Sequence, residues 1–448
     1  MDDTIVAIST ALKDGAISIV RVTGAKALNY VNMVFTKDLT KAKSHTIHYG
    51  HIKYKDELID EVLVMVMRSP RTYTTEDVIE INCHGGLNST RKVLEVLLQI
   101  GCRLAEPGEF TKRAYLNGRI NLLEAESVND LIIAKTDASR TLALNNVGGK
   151  LTQKIKNIRS KIAKILANIE VNIDYPEYTD ELEVTKNLLT TYLKDIKEEL
   201  LKLLNGAKSG QIIKNGINIA IIGKPNVGKS SILNHLIDEE KAIVTNIPGT
   251  TRDIVEGSIT LNGVLVNFVD TAGIRQTEDV VEKIGVTKSE EIAKKADLII
   301  LVLNNNEELS KEEESLYNKY NADNLIVFVN KSDLSSNLDV HMFSGVVYGN
   351  TVDLYGLEEL KNAIISKLNL EEIVNKDMSY LTNVREIDLV NKAYQALENA
   401  LTNSLLGLDV DLIEIDLKEV WDYLGEVTGE TYKEELVDEI FRNFCLGK

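Results

Sequence analysis

The stretch from Ile217 to Ile237 constrains this chain more than any other. An apolar run of strand length, Ile217-Asn218-Ile219-Ala220-Ile221-Ile222, leads straight into Gly223-Lys224-Pro225-Asn226-Val227-Gly228-Lys229-Ser230-Ser231. A helical pattern follows over Ile232–Ile237. That is G-x-x-x-x-G-K-S in the strand–loop–helix setting the motif needs. The glycines let successive backbone N–H groups turn toward one anion, and the helix adds its positive end. Lys229 is placed to reach β- and γ-phosphates, and the Ser230 hydroxyl to ligate Mg²⁺.

Later segments select the nucleotide. Asp270-Thr271-Ala272-Gly273 closes a second buried run, Val264–Val269, where Asp270 can hold Mg²⁺ through water and the Gly273 N–H can meet a γ-phosphate. Asn330-Lys331-Ser332-Asp333 closes a third, Leu325–Val329. A carboxylate at Asp333 accepts from the N1–H and 2-amino group of guanine; adenine offers neither donor and would leave the acceptor unpaired. A hydroxyl from Thr250-Thr251 completes the metal shell. Four motifs in this order resemble a Ras-like GTPase domain of the translation-factor-related class. The GTP-binding set expected on that basis is Asn226, Val227, Gly228, Lys229, Ser230 and Ser231, then Thr245, Asn246, Ile247, Pro248, Gly249, Thr250 and Thr251. It continues with Asp270, Thr271, Ala272, Gly273, Asn330, Lys331 and Asp333, and Ser230 and Thr251 are the Mg²⁺ ligands. Ile274 stands where many GTPases place a water-orienting Gln. The candidates to replace it are Arg275, Gln276, Glu278, Asp279 and Glu282. Asn350-Thr351 replaces the usual Ser-Ala of the purine-base loop.

With 448 residues the chain is long enough for about two to four domains. A net charge of −17 argues against broad electrostatic wrapping of nucleic acid and leaves room for a local basic patch. Met1-Asp2-Asp3 opens no secretory signal, and the longest apolar runs, such as Leu298–Leu303, are strand-sized. The three cysteines, Cys83, Cys102 and Cys445, lack metal-ligand spacing, and a reduced cytoplasmic setting is expected.

Residues 1–118 read as mixed α/β, with strands at Ile17–Val22, Val62–Met67 and Val78–Asn82 and helical spacing over Thr90–Gln99. His84, beside Gly85-Gly86, is a loop histidine with either a catalytic or a hydrogen-bonding role. Long helices are expected from 119. Leu151, Ile155, Ile158, Ile162, Ile165 and Ile169 form one core stripe. Pro176 interrupts the pattern, and Leu189, Tyr192, Leu193, Ile196, Leu200 and Leu203 form a second. The segment Asn205-Gly206-Ala207-Lys208-Ser209-Gly210 reads as a linker into the nucleotide domain. Helical texture returns after about 375. The expected architecture is α/β plus α: an N-terminal α/β domain over 1–118 and a long-helix domain over 119–210 and 375–448. The latter is interrupted by an inserted P-loop domain over 211–374.

The C-terminal Phe444-Cys445-Leu446-Gly447-Lys448, the segment Leu424-Gly425-Glu426-Val427-Thr428-Gly429, Pro107-Gly108-Glu109-Phe110-Thr111-Lys112-Arg113-Ala114, Leu122-Leu123-Glu124-Ala125-Glu126, and Glu76–Glu80 ending at His84-Gly85-Gly86 together resemble the MnmE (TrmE) family of tRNA-modification GTPases. The likeness runs from about residue 5 to Lys448. It implies an N-terminal domain that dimerises and binds 5-formyl-tetrahydrofolate or a related tetrahydrofolate, with Arg21, Glu80, Arg119 and Lys448 on ligand positions. Arg119 stands where Lys is common, which keeps the charge and alters the donor geometry. The resemblance further implies a homodimer working with an FAD-dependent MnmG (GidA) partner, as a heterotetramer, on C5 of the tRNA wobble uridine. It implies K⁺-dependent pairing of the GTPase domains, with Asn226, Thr245, Ile247 and Thr250 as K⁺ ligands. Glu282 falls on the water-orienting carboxylate. For Cys445 a chemical role and a packing role both stay open. The competing classes are a ribosome-assembly or regulatory GTPase switch, and a one-carbon-transfer enzyme carrying a regulatory GTPase.

Overall fold

A computed structural model of the chain describes residues 3–174, 179–239, 255–269, 296–320, 324–374, 378–431, 434–442 and 444–447. The chain divides into two compact units: Met1–Asn129 with Val147–Lys197 and Asp388–Lys448, and Asp130–Asn146 with Glu198–Ile387.

The first unit opens with β1 (Ile5–Ile8), β2 (Ile17–Thr23), α1 (Ala27–Val34), β3 (Thr46–Tyr54), β4 (Glu57–Met67), β5 (Val78–His84), α2 (Leu87–Gln99), β6 (Arg103–Leu104) and α3 (Glu109–Leu116). Its six strands run in the order β3-β4-β5-β2-β1-β6. The alternation of Val20 and Val22 with Arg21 sends the valines into the core and leaves Arg21 on the other face, directly across from Glu80 of β5. Val20, Val22, Val64, Val66, Ile79 and Ile81 pack under Val31 of α1 and Val93 and Val96 of α2.

Four helices follow: α4 (Leu122–Ile133), α5 (Asp137–Val147), α6 (Lys150–Asp174) and α7 (Thr179–Asn215). On α6 the expected stripe is buried throughout, from Leu151 to Ile169. On α7 the second stripe departs at one position: Leu189, Leu193, Ile196, Leu200 and Leu203 are buried, whereas Tyr192 is 50% exposed. Tyr192 lies at the edge of that stripe, one position before Leu193, where the helix surface turns toward solvent.

The expected linker at 205–210 is helical. α7 runs through it to Asn215, and the chain turns at Gly216, at φ +80°. Gly206 and Gly210 mark close approach here rather than a break. A Cβ on Gly206 would stand 2.7 Å from Cδ1 of Tyr380, and one on Gly210 would stand 2.3 Å from the Leu381 carbonyl oxygen. Spaced four apart, they form one bare stripe on which the 380–381 segment lies.

The second unit is built on β7 (Ile217–Ile222), α8 (Lys229–Glu239), β8 (Val255–Leu261), β9 (Val264–Val269), β10 (Leu298–Asn304), α9 (Lys311–Lys319), β11 (Leu325–Asn330), β12 (Val346–Tyr348) and α10 (Leu357–Lys367). Strand order is β12-β11-β10-β7-β9-β8, with only the β8–β9 pair antiparallel. Every residue of β10 and β11 is buried, as parallel strands covered on both faces require. Ala138 and Leu142 of α5 join this core beside Ile213, Ile217 and Val264. A polar knot sits close by. Lys214 Nζ pairs with Asp130 Oδ1 at 2.8 Å, and Thr382 Oγ1 donates to Asp130 Oδ2 at 3.1 Å.

The chain ends with α11 (Leu370–Ile373), α12 (Val384–Leu405), α13 (Val410–Thr428) and α14 (Glu434–Arg442). Arg159 of α6 explains part of the 424–429 motif. Its guanidinium stacks over Trp421, with 4.0 Å from Cζ to the ring centroid, and a Cβ on Gly425 would stand 2.9 Å from Nη2. Gly429 closes α13 in the left-handed region, at φ +77°, and its carbonyl accepts from the Tyr115 hydroxyl at 2.8 Å. Among the described residues, no helix is long and apolar enough to cross a membrane.

Candidate nucleotide site and tail pocket

β7 delivers the glycine-rich loop at the point where the strand order reverses, with β9 on one side and β10 on the other. In open α/β sheets that crevice, at the carboxyl ends of the strands, is where ligands bind. Two glycines there are obligatory. A Cβ on Gly223, at φ +147°, would fall 2.3 Å from the Val302 carbonyl oxygen, and one on Gly228, at φ +100°, would fall 2.2 Å from Asn330 Nδ2. Asn226 takes φ +61°, in the left-handed region that asparagine tolerates better than most residues.

Lys229 begins α8 and folds back over the loop. Its Nζ donates to the carbonyls of Gly223 at 2.8 Å and Lys224 at 2.6 Å. Burial pulls its pKa down, and among the described residues no carboxylate pairs with it. A half-buried ammonium held only by neutral carbonyls, beside the N-terminus of an eleven-residue helix, fits a phosphate as its missing counter-charge. Ser230 is exposed in the first turn of the same helix.

Asn330 closes β11 and links two motifs. Its Nδ2 donates to the Val227 carbonyl at 2.7 Å, while its Oδ1 is buried without a partner. Lys331 follows at φ +62°, and Asp333 presents an exposed carboxylate. The Ser332 N–H donates to the Gly349 carbonyl at 3.1 Å, which sets the 349–355 loop beside the 331–333 turn. Asn350 is buried there, accepting from the N–H groups of Val352 and Asp353 at 3.0 and 2.7 Å. Its side chain therefore builds the loop.

Sequence reasoning missed the brace under the phosphate loop. Lys224 Nζ pairs with Glu313 Oε2 at 2.9 Å, and Glu313 also closes a capping box with Ser310 at the start of α9. The Ser310-x-x-Glu313 spacing signals the cap; the link to Lys224, remote in sequence, has no signal. Thr245, Asn246, Ile247, Pro248, Gly249, Thr250, Thr251, Asp270, Thr271, Ala272, Gly273, Arg275, Gln276, Glu278, Asp279, Glu282 and Lys448 lie outside the described residues.

A second constellation forms in the first unit. Arg21 Nε donates to Glu80 Oε1 at 2.8 Å, and Arg21 Nη1 reaches the Gly447 carbonyl at 3.3 Å. The same carbonyl accepts from Ser9 Oγ at 3.1 Å. Arg21 Cζ lies 5.5 Å from the Phe110 ring centroid and 5.9 Å from that of Tyr73. Arg119 Cζ lies 4.6 Å from the same Tyr73 ring. The structure thus brings Arg21 and Arg119 to one ring, Tyr73, with Glu80 paired to Arg21 and the tail alongside. A Cβ on Gly447 would stand 2.3 Å from the Ile8 carbonyl oxygen, so only glycine passes there. Further back, Phe441 and Phe444 pack with Tyr115 and Leu122, and the Gly108 N–H donates to the Cys445 carbonyl at 3.3 Å.

Arg113 is the residue that sequence reasoning left unused. Almost fully buried, it donates to Glu76 at 3.1 Å, to Asp3 Oδ1 at 2.7 Å and to Glu109 Oε1 at 3.0 Å, pinning the segment that carries Tyr73. His84 is exposed, and its Nδ1 meets Asp60 Oδ1 at 2.7 Å. The hydrogen bond to Asp60 raises the His84 pKa, and its contacts read as a hydrogen-bonding histidine. Burial pushes the thiols of Cys83 and Cys102 up to about 12, whereas Cys445 is exposed.

Comparison with known proteins adds the following. Residues 122–445 match the family described as the MnmE helical domain, and residues 4–119 match the GTP-binding protein TrmE N-terminus. The tRNA modification GTPase MnmE of Bacillus mycoides (strain KBAB4) is 49% identical over 455 residues, spanning 100% of this chain and 99% of that protein. That of Listeria welshimeri is 49% identical over 454 residues, with the same coverage. Among solved structures, the FeoB G domain of Methanococcus jannaschii covers 34% of this chain and 98% of its own, at 26% identity and a TM-score of 0.25. The T. maritima FeoB G domain matches at 28% identity and a TM-score of 0.26, covering 34% of this chain and 98% of its own.

Proposed function

This chain belongs to the MnmE family of tRNA modification GTPases, and we propose that it builds aminomethyl or carboxymethylaminomethyl groups at C5 of the wobble uridine. In this reading it acts with an FAD-dependent partner of the MnmG type, as a homodimer within a heterotetramer, and draws a one-carbon unit from a tetrahydrofolate. The chain is a GTP hydrolase, and its substrate beyond GTP is tRNA.

The observation that carries the folate part is the Arg21–Glu80 pair with the tail drawn onto it. A pterin carries the same cyclic N–H and adjacent amino group that a carboxylate reads in guanine, and Glu80 offers a half-buried carboxylate whose Oε1 alone is engaged by Arg21. The Tyr73 and Phe110 rings supply flat apolar surface beside it. Lys448, following Gly447, is the remaining ligand residue of this reading. Cys445 sits two residues before the carbonyl that Arg21 holds, a position that supports a chemical role near the one-carbon unit.

For the nucleotide, Lys229 and the loop N–H groups bind the phosphates, Asp333 reads guanine, and Ser230 with Thr251 holds Mg²⁺. Asn226, Thr245, Ile247 and Thr250 hold K⁺ where paired GTPase domains meet. Glu282 orients water, and the ion supplies charge that an arginine supplies elsewhere. Residues 1–118, 119–210 with 375–448, and 211–374 are the corresponding domains, working in the cytoplasm.

Mass analysis of wobble nucleosides tests this reading. Cells lacking the protein should lose the C5 aminomethyl-type modification and regain it with the wild-type chain. Intact modification in the deletion strain would instead place the protein among ribosome-assembly or regulatory GTPases.

A further inference from the structure

A cleft of about 480 Å³ opens beside the tail pocket, among the end of α3, the start of α4, the first third of α6 and the end of α13. Arg119, Asn121, Glu124, Lys156, Gly429 and Glu430 line it. Arg119 is the shared wall: its guanidinium lies against Tyr73, the ring that Arg21 touches from the tail pocket. The cleft therefore continues the line Glu80, Arg21, Tyr73, Arg119.

The cleft suits an anion. Lys156 projects from α6 exposed and, among the described residues, without an ionic or hydrogen-bond partner. Both acids on the walls are engaged. Glu124 accepts from the Asn121 N–H through Oε2 and from Thr152 Oγ1 through Oε1, each at 3.1 Å. Glu430 pairs with Arg159, which stands behind the wall. Counting Arg119, Lys156 and Arg159 against Glu124 and Glu430 leaves one positive charge, in a chain whose net charge is −17. The Gly429 carbonyl already accepts from the Tyr115 hydroxyl. A concave pocket within the ordinary volume range for small-molecule sites favours a small flexible polyanion over a nucleic-acid backbone, which asks for an exposed basic stripe.

We propose that this cleft binds the γ-linked polyglutamate tail of the folate, with Arg119 at the first glutamate and Lys156 paired to the carboxylates beyond it. This rests on the folate reading of the Arg21–Glu80 pocket. Each added γ-glutamate brings one further α-carboxylate, and the chain is thin and flexible enough to follow the cleft. Lys156 is then a specificity-determining residue for tail length.

Calorimetric titration with the mono- and triglutamate forms of 5-formyl-tetrahydrofolate tests it on the full chain. The wild type should bind the triglutamate about three- to fivefold more tightly, the scale of one part-exposed ion pair, and the difference should shrink as salt is raised. Lys156→Ala should bring the two affinities to within about twofold, and Lys156→Glu should reverse the preference. Equal wild-type affinities would overturn the tail site while leaving the folate reading standing. No binding of either form would overturn both. If Lys156→Ala kept the triglutamate advantage and instead weakened tRNA retention, the cleft would be a phosphate contact and the tail assignment wrong.

Discussion

Lys229 shows how one side chain can lower the stability of the empty protein in order to bind. Its ammonium is half-buried against two carbonyls with its pKa pulled down by burial, so the charge is under-compensated until an anion arrives. Lys229→Met should therefore raise the melting temperature of the nucleotide-free protein, by about 2 °C. The same change should weaken GTP binding by roughly tenfold or more, through loss of charge-assisted hydrogen bonds. Calorimetric melting and nucleotide titration check both signs; a fall in both would mean that Lys229 is a structural cation. Asp333 makes the complementary case. Asp333→Asn should shift preference from GTP to xanthine nucleotide by roughly 2 kcal/mol or more, since an acceptor becomes a donor facing the base, and competition binding reads this directly. The strand–loop–helix over β7 and α8 was legible in the sequence because motif spacing encodes it. Asn330 bridging to Val227, the Lys224–Glu313 brace and Arg113 were not, because each joins residues whose proximity only the folded sheet creates.

Helix α7 shows where composition misleads. Glycine weakens a helix by about 1 kcal/mol relative to alanine, so two glycines four apart near a serine read as a linker. Packing reverses that reading: both glycines lie under Tyr380 and Leu381 inside an unbroken helix. Propensity alone predicts that Gly210→Ala stabilises the protein. The 2.3 Å approach of a Cβ to the Leu381 carbonyl predicts destabilisation by about 1–3 kcal/mol, with a matching fall in the denaturation midpoint. Denaturant melts of this single variant decide between them. The α6 stripe was legible because a 3.6-residue period buries one face whatever the partner is; α13, which packs against α6, buries Ile413, Leu417, Val420 and Leu424. Tyr192 escaped the same logic because a stripe read from side-chain type ignores where the helix surface turns outward.

At the scale of the whole molecule the net charge of −17 sets a test for tRNA handling. A strongly acidic chain holds an RNA backbone only through local cations, so tRNA retention should fall steeply with salt while nucleotide affinity changes far less. GTP hydrolysis should be faster in K⁺ than in Na⁺ at matched ionic strength. Asn226, at φ +61°, is a K⁺ ligand of the proposed site, and the residue after Gly273 is an isoleucine that cannot orient water. Equal rates in the two salts would remove K⁺ from the account. Strands β7, β9 and β11 were legible because a motif follows each of those apolar runs; the order in which the six strands pair was not, because it is set by contacts between residues remote in sequence.

The three thiols give the chain a native handle. Cys83 and Cys102 are buried with pKa values near 12, which keeps them protonated and shielded, while Cys445 is exposed on the tail. A maleimide fluorophore should therefore attach once per folded chain, without any cysteine being engineered away, and at all three positions in denaturant. The dye would sit two residues from the carbonyl held by Arg21. Its anisotropy and quenching would then report, in real time and on otherwise unaltered protein, whether the tail stays clasped as ligands, nucleotides and partners are added.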